Sequence, residues 1–282
     1  MIDLHLHTRA SDGTWTPGRA AAEAAKAGMT AIAFTDHDSL ASVAAGRRAA
    51  KKLGLRFINA VEITAGSNAE DVLHILGYGV DKEHVTLRGI LARNQAAWRQ
   101  NELLSIEALA GLGIRIDPER YAYWERHREA GGWPTYNCLV EMGLVADYRD
   151  YFGKYFGPGR PAHVTTEFVQ PQEAVAAIAA AGGVPVLAHP GAYDPRGRSI
   201  LERPGFLDAM VAMGIAGFEA IANENSPEVT EHLLAYCRRR DLLATGGSDC
   251  HGEFAGRRLG RPPVPDSYLP PLLARLRPGS YV

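Results

Sequence analysis

Short apolar runs alternate with Ala-rich amphipathic stretches along the first 80 residues. Met1 to His7 reads as a strand, and Pro17 to Ala27 as a helix with Thr16 as N-cap, Pro17 at its first position and Gly28 as its stop. Thr30 to Phe34 is predicted as a second strand, Leu40 to Leu53 as a second helix, Arg56 to Ile63 as a third strand and Val72 to Tyr78 as a short fourth. From about residue 170 the rhythm returns. Helices are predicted over Pro171 to Ala181, Phe206 to Met213 and Pro227 to Arg240, with strands over Val184 to Ala188, Ile215 to Ala220 and Leu242 to Thr245. Seven strands with intervening helices predict an α/β protein built on a parallel barrel.

Between the halves the pattern turns helical, with joints such as Gly131-Gly132 and Gly157-Pro158-Gly159. The expected organisation is a first barrel part over residues 1–87, an inserted helical cap over 88–165 and a second barrel part over 166–282. Eleven of the chain's 23 Phe, Trp and Tyr fall in the insert. A small helical unit needs such side chains for its own core, so most are expected there and one or two against a ligand.

Composition narrows the function. The chain has 282 residues, 46% hydrophobic and 22% charged, with a formal net charge of -2. That excludes disorder and gives no long-range positive field for bulk nucleic acid, so an anion must be captured locally. No apolar run is long enough to span a membrane and the N-terminus lacks the features of a signal peptide, so a cytoplasmic location is expected. Cys138, Cys237 and Cys250 form no CxxC pair, and cysteine chemistry is expected to be incidental.

The chemistry lies in His, Asp and Glu placed at predicted strand ends. His5 and His7 are two apart, on one face of the first strand. Asp12 follows in a Ser-Asp-Gly turn; His37 lies between Asp36 and Asp38 after the second strand; Glu62 ends the third; His74 lies on the fourth; His189 ends VPVLAH; Asp249 and His251 follow LLATGG. C-terminal strand ends of a parallel barrel converge on one face, and carboxylates with imidazoles suit first-row divalent metals.

HLHTRASDG, FTDHDS, the Glu62 strand end, AHPG and GSDCHG together resemble the PHP (polymerase and histidinol phosphatase) domain, a metal-dependent phosphoesterase fold similar to the amidohydrolases. The resemblance covers residues 1 to 87 and 166 to 255. The insert ending YFGKYFGPGRPAHV resembles the branch of nucleoside 3',5'-bisphosphate phosphatases and short-RNA 5'-exonucleases. This implies a distorted seven-stranded barrel holding two or three divalent ions, with manganese as the expected occupant and zinc or iron as alternatives. His5, His7, Glu62 and Asp249 would hold one ion, Glu62, His74 and His189 a second, and Asp12, His37 and His251 a third. A metal-bound hydroxide held by Glu62, Asp249 and His251 would attack the phosphate. Many relatives have His at the position of Asp12; the carboxylate here favours manganese over zinc.

Outside the ligand set, Arg160 and Arg9 are the expected phosphate-binding arginines, and Arg257-Arg258 is a candidate anion guide. Asp36 or Asp38 is expected to orient His37. His84, His127 and His232 read as surface residues. The expected activity is hydrolysis of a terminal phosphate of a nucleotide, foremost a nucleoside 3',5'-bisphosphate, with no membrane and no obligate protein partner. The alternatives are 5'-to-3' cleavage of short RNA, a histidinol phosphate phosphatase, and a catalytically silent regulatory module.

Overall fold

The computed structural model describes residues 1–67, 72–192 and 199–282. Its sheet has seven strands in chain order: β1 (Ile2–Leu6), β2 (Ala31–Phe34), β3 (Arg56–Ala65), β4 (Leu73–Tyr78), β5 (Val184–Leu187), β6 (Gly217–Ile221) and β7 (Leu243–Gly246). A parallel bridge from Leu6 to Cys250, just past β7, brings the first strand to the last, so the sheet is nearly closed. Helices α1 (Pro17–Lys26) and α2 (Val43–Leu53) connect β1 to β3, and α7 (Pro171–Ala180), α8 (Phe206–Met213) and α9 (Pro227–Arg240) serve the second half. Thr16 caps α1 through Arg19 N, as the sequence predicts.

The sheet departs from a parallel barrel at one strand. β4 pairs antiparallel with both β3 and β5, with Thr64 opposite His74 and Ile75 opposite Leu187. Its cause is the connection. Residues 66–72 join β3 to β4, fewer than the roughly dozen a parallel crossover needs. Reversal places His74, the second residue of β4, level with the C-terminal ends of the other strands.

The cap comprises the C-terminal part of α3 (Val85–Gly111), then α4 (Pro118–Arg126), α5 (Pro134–Glu141), α6 (Tyr148–Tyr151) and a π-helical turn over Phe152–Phe156. The expected boundary at residue 88 falls within α3, and this helix serves both units. Leu87, Ile90 and Leu91 pack in the barrel core with Ile63, Val175 and Ile178. Leu109, further along, joins the cap core with Ile116, Tyr136, Leu139, Tyr151 and Phe156. Phe254, from the loop after β7, completes that cap core. Across the other end, Leu269, Leu272 and Leu276 close the barrel against Ile2, Leu4 and Leu243. Among the described residues no helix is long and apolar enough to cross a membrane.

Candidate active site

Strand ends bring all nine predicted ligands to one face. His5 and His7 project from β1 and its end, Glu62 from β3, His74 from β4, and the others from the loops that follow strands. Glu62 is the hub. Its Oε2 lies 3.1 Å from His5 Nε2, 3.1 Å from His7 Nε2 and 3.2 Å from His37 Nδ1; its Oε1 lies 3.1 Å from His74 Nδ1 and 3.1 Å from His189 Nε2. Asp249 Oδ1 stands 3.1 Å from His7 Nε2, and Asp12 Oδ1 3.3 Å from His251 Nε2.

Loops reach this face through unusual backbone. Asp38, His189 and Asp249 have φ values of 49°, 25° and 50°, a region uncommon for L-residues and one that Asp and His enter more readily than most. Gly247 passes so close to β1 that a Cβ would stand 2.5 Å from His5 N. Only glycine lets the Ser248–Asp249 segment lie against the first ligand strand.

Among the described residues, three sets each bring one ligand atom per residue within 4.8 Å of the others: His5, His7, Glu62 and Asp249; His7, Asp12, His37 and His251; and His37, Glu62 and His74. The first matches the set implied by the family resemblance, the second adds His7 to the implied third set, and the last has His37 where His189 was implied. Buried polar atoms test whether cations fit. His7 Nε2, Asp12 Oδ1, His37 Nδ1 and Asp249 Oδ1 are shielded from solvent without a hydrogen-bond partner. Each such atom costs about 1–3 kcal/mol, which coordination to a cation removes. Imidazole and carboxylate donors suit manganese, iron or zinc, so the residues fit divalent ions.

Electrostatics agree. Burial disfavours charge throughout, yet Glu219, Glu62 and Asp249 hold His5 well above its usual range. Against the same burial, Asp249 and Glu62 raise His7 to about 10. His37 goes the other way, pushed down to about 3 by burial. Glu62 and Asp249, though buried, are held well below the usual carboxylate range by the surrounding histidines. The carboxylates therefore stay charged and need positive charge among them.

Outer partners fix the ligands. Glu219 on β6 lies 2.9 Å from His5 Nδ1 through Oε1 and accepts the His189 backbone N–H at 2.8 Å through Oε2. The sequence reading missed it. Its signal was an acid within an otherwise apolar strand, GFEAI. His251 Nδ1 donates to the Asp249 carbonyl at 2.8 Å, leaving Nε2 as the lone-pair nitrogen. Arg257 bridges Asp249 Oδ2 and Glu224 Oε1.

Several expectations are corrected. Asp36 accepts from Thr8 N and Ser11 Oγ, and Asp38 from Thr64 N, Asn94 and Trp98, so these carboxylates hold main chain and cap around His37 rather than orienting its ring. Arg9 is spent within its own loop, where Nε donates to the Thr14 carbonyl at 2.7 Å. Arg160 is exposed and lies outside the cavity above the ligand face. Arg99, Arg128 and Arg257 line that cavity instead. Asn94, Gln95, Trp98, Arg99 and Glu102 follow helical spacing on α3, a stripe the sequence held but which reads equally as a solvated face. Of the histidines expected at the surface, His232 is exposed, while His84 and His127 are half-buried.

The cavity measures about 570 Å³, with Asp12, His37, His74, His189, Asp249 and His251 on its barrel side. Trp98, Tyr121, Trp133, Tyr148 and Phe152 line its cap side, so more insert aromatics face open space than the one or two expected. The thiols of Cys138, Cys237 and Cys250 are buried, and burial pushes each up to about 11, which removes them as nucleophiles.

The PHP domain model matches residues 3–149, which include His5, His7, Asp12, His37, Glu62 and His74. The chain belongs to the PHP domain family. Among its relatives in this family, a 3',5'-nucleoside bisphosphate phosphatase of Chromobacterium violaceum is 34% identical over 269 residues, covering 91% of this chain and 89% of the relative. A 5'-3' exoribonuclease of Haemophilus influenzae is 30% identical, covering 92% and 93%. Among solved structures, a candidate metal-dependent phosphoesterase of Bifidobacterium adolescentis superposes with a TM-score of 0.86 at 31% identity, covering 98% of this chain and 96% of that one. This PHP protein is a metal-dependent hydrolase of phosphate esters.

Proposed function

We propose that the enzyme hydrolyses a terminal phosphate of a nucleoside 3',5'-bisphosphate, using two to three ions with manganese as the favoured occupant. One observation carries this reading: a single cavity joins the ligand face to an aromatic wall and an exposed arginine, Arg99. Its volume lies in the range of sites that enclose a small molecule.

Divalent ions held by His5, His7, Glu62, Asp249 and their neighbours supply clamping of phosphate oxygens and acidification of the attacking water. The chain's own residues supply the rest. Glu62 holds five imidazoles about one carboxylate, and Glu219 fixes His5 behind them. Arg257 pairs with both Asp249 and Glu224 and offsets part of their charge beside the reacting phosphate. A nucleoside on that phosphate projects toward the cap, where Trp98 or Trp133 offers a ring face, worth about 1–3 kcal/mol per stacked base. Arg99, with no ion pair among the described residues, takes the second phosphate.

The exoribonuclease name of the Haemophilus influenzae relative favours a second reading, short RNA cut from its 5' end. A panel of nucleoside 3',5'-bisphosphates, nucleoside monophosphates, short 5'-phosphorylated RNA and an aryl phosphate, each with manganese, tests both. The bisphosphate is expected to give the highest kcat/KM. Preference for RNA moves the assignment to the exonuclease, and equal turnover of all four removes the nucleotide assignment.

A further inference from the structure

The cap grips the turn that carries Asp12 through one short segment, separate from the bonds that Asn94 and Trp98 of α3 make to Asp38. Gly132 N–H donates to the Asp12 carbonyl at 2.8 Å, and Arg128 Nη2 donates to the Ser11 carbonyl. Both glycines of the Gly131-Gly132 pair have positive φ, 73° and 65°, and a Cβ on Gly131 would stand 2.9 Å from the Asp12 carbonyl oxygen. Such an approach requires glycine. Asn137 of α5 holds this bend by donating to the Gly131 carbonyl at 2.9 Å. From the barrel side, Thr14 N–H donates to the His251 carbonyl at 2.9 Å.

Asp12 is thus held differently from the ligands borne on strands. His5 is fixed within β1 and Glu62 within β3, where sheet hydrogen bonds set their positions. Asp12 sits on a turn whose main chain the cap grips, and its Oδ1 is shielded, without a hydrogen-bond partner, 3.3 Å from His251 Nε2. Shifting the cap moves the Ser11 and Asp12 carbonyls and the carboxylate with them.

We propose that the segment from Arg128 to Gly132 is a positioning strut for Asp12, coupling the seating of the cap to the ion held by His7, Asp12, His37 and His251. This rests on the reading of Asp12 as a ligand. Coupling between two sites is reciprocal: a seated cap raises the affinity for that ion, and the ion holds the cap. Within the set His5, His7, Glu62 and Asp249 the link to that turn is His7 Nδ1, 3.3 Å from Ser11 Oγ, while His5 and Glu62 are held by the sheet, so the strut acts chiefly on the ion that Asp12 holds and leaves the sheet-held ion in place.

Manganese titrations of the full chain without substrate, read by elemental analysis and by electron paramagnetic resonance of the bound ion, test this. Arg128→Met and Gly131→Ala are each expected to weaken one ion by about tenfold or more, the range for loss of a partner that orients a ligand, while the tighter ion stays. Asp12→Ala runs beside them. If Asp12→Ala keeps every ion at unmutated affinity, Asp12 is no ligand and the underlying reading falls. If Asp12→Ala loses one ion while the strut variants keep it, the strut alone is overturned; loss of all ions together from the strut variants overturns it too. Hydrogen exchange on the unmutated protein needs no variant to fold. The Gly132 amide is expected to slow over the manganese range that fills the weakest site, and unchanged exchange across that range contradicts the coupling.

Discussion

The two walls of the cavity are built by opposite means. On the barrel side, ligands hang from strands or from loops pinned by buried carboxylates, as Asp3 pins the chain after β7 by accepting the Ser248 and Gly260 N–H groups at 2.9 Å each. On the cap side, short helices present large aromatics whose packing is mutual, such as Trp133 with its ring centroid 5.8 Å from that of Tyr151. A rigid rim suits a metal array that tolerates little displacement. A wall of rings that accepts any π face suits choice among substrates. The difference teaches that reaction and recognition can be altered separately, and variants on each wall test that separation.

The largest effect is expected at the hub. Glu62→Gln removes the charge that faces five histidines, and activity is expected to fall by more than the roughly 10–100-fold that loss of an outer partner costs. Metal content per chain should fall with it. Full turnover at undiminished metal content contradicts the bridging role and, with it, the idea that the barrel wall alone carries the reaction.

Glu219→Gln comes next. It leaves every candidate ligand in place and weakens the carboxylate behind His5 and the His189 backbone. Manganese affinity is expected to drop about 10–100-fold, with activity largely restored at saturating metal. An affinity equal to that of the unmutated protein shows that the sheet alone orients His5.

The cap wall responds in a different measurement. Arg99→Ala is expected to raise KM for a nucleoside 3',5'-bisphosphate by roughly tenfold to a hundredfold, the equivalent of about 1.5–3 kcal/mol for a charge-assisted hydrogen bond. KM for an aryl phosphate should hardly move. Equal losses on both substrates place Arg99 at the reacting phosphate and blur the two walls.

The walls also differ in how far the sequence discloses them. The barrel's ligands stand at strand ends in short motifs because each strand delivers its terminal residues to one face, so order along the chain maps onto position around the rim. His74 was found although its strand's direction was not; alternating apolar residues reveal a strand but carry no direction, and only the length of 66–72 does. Glu219 escaped because an acid in an apolar strand fits none of those motifs. Recognition residues resisted altogether. Whether Arg99 or Arg160 reaches the cavity depends on where α3, which runs from barrel core to cap core, aims its faces, and that is set by packing against α5 and α7 rather than by local pattern.

Trp98 stands where the walls meet, and the smallest effect separates its two duties. Its Nε1–H donates to Asp38 Oδ2 at 3.0 Å, beside Asn94 Nδ2 on Oδ1 at 2.7 Å, so α3 is tied to the turn that carries His37. Burial pushes Asp38 up to about 6, and the donors from Asn94, Trp98 and Thr64 oppose that rise. Trp98→Phe removes one donor and keeps an aromatic face beside Phe168, whose ring centroid lies 4.7 Å away. The expected cost is about 1.5–3 kcal/mol of stability, as for a hydrogen bond to a charged group, with KM for the bisphosphate close to unchanged. Trp98→Ala removes the donor and the face together, so it should add a rise in KM to the same loss of stability. If Trp98→Phe raises KM as much as Trp98→Ala, the tie to Asp38 rather than the ring sets substrate affinity, and the barrel wall extends into the first turns of the cap.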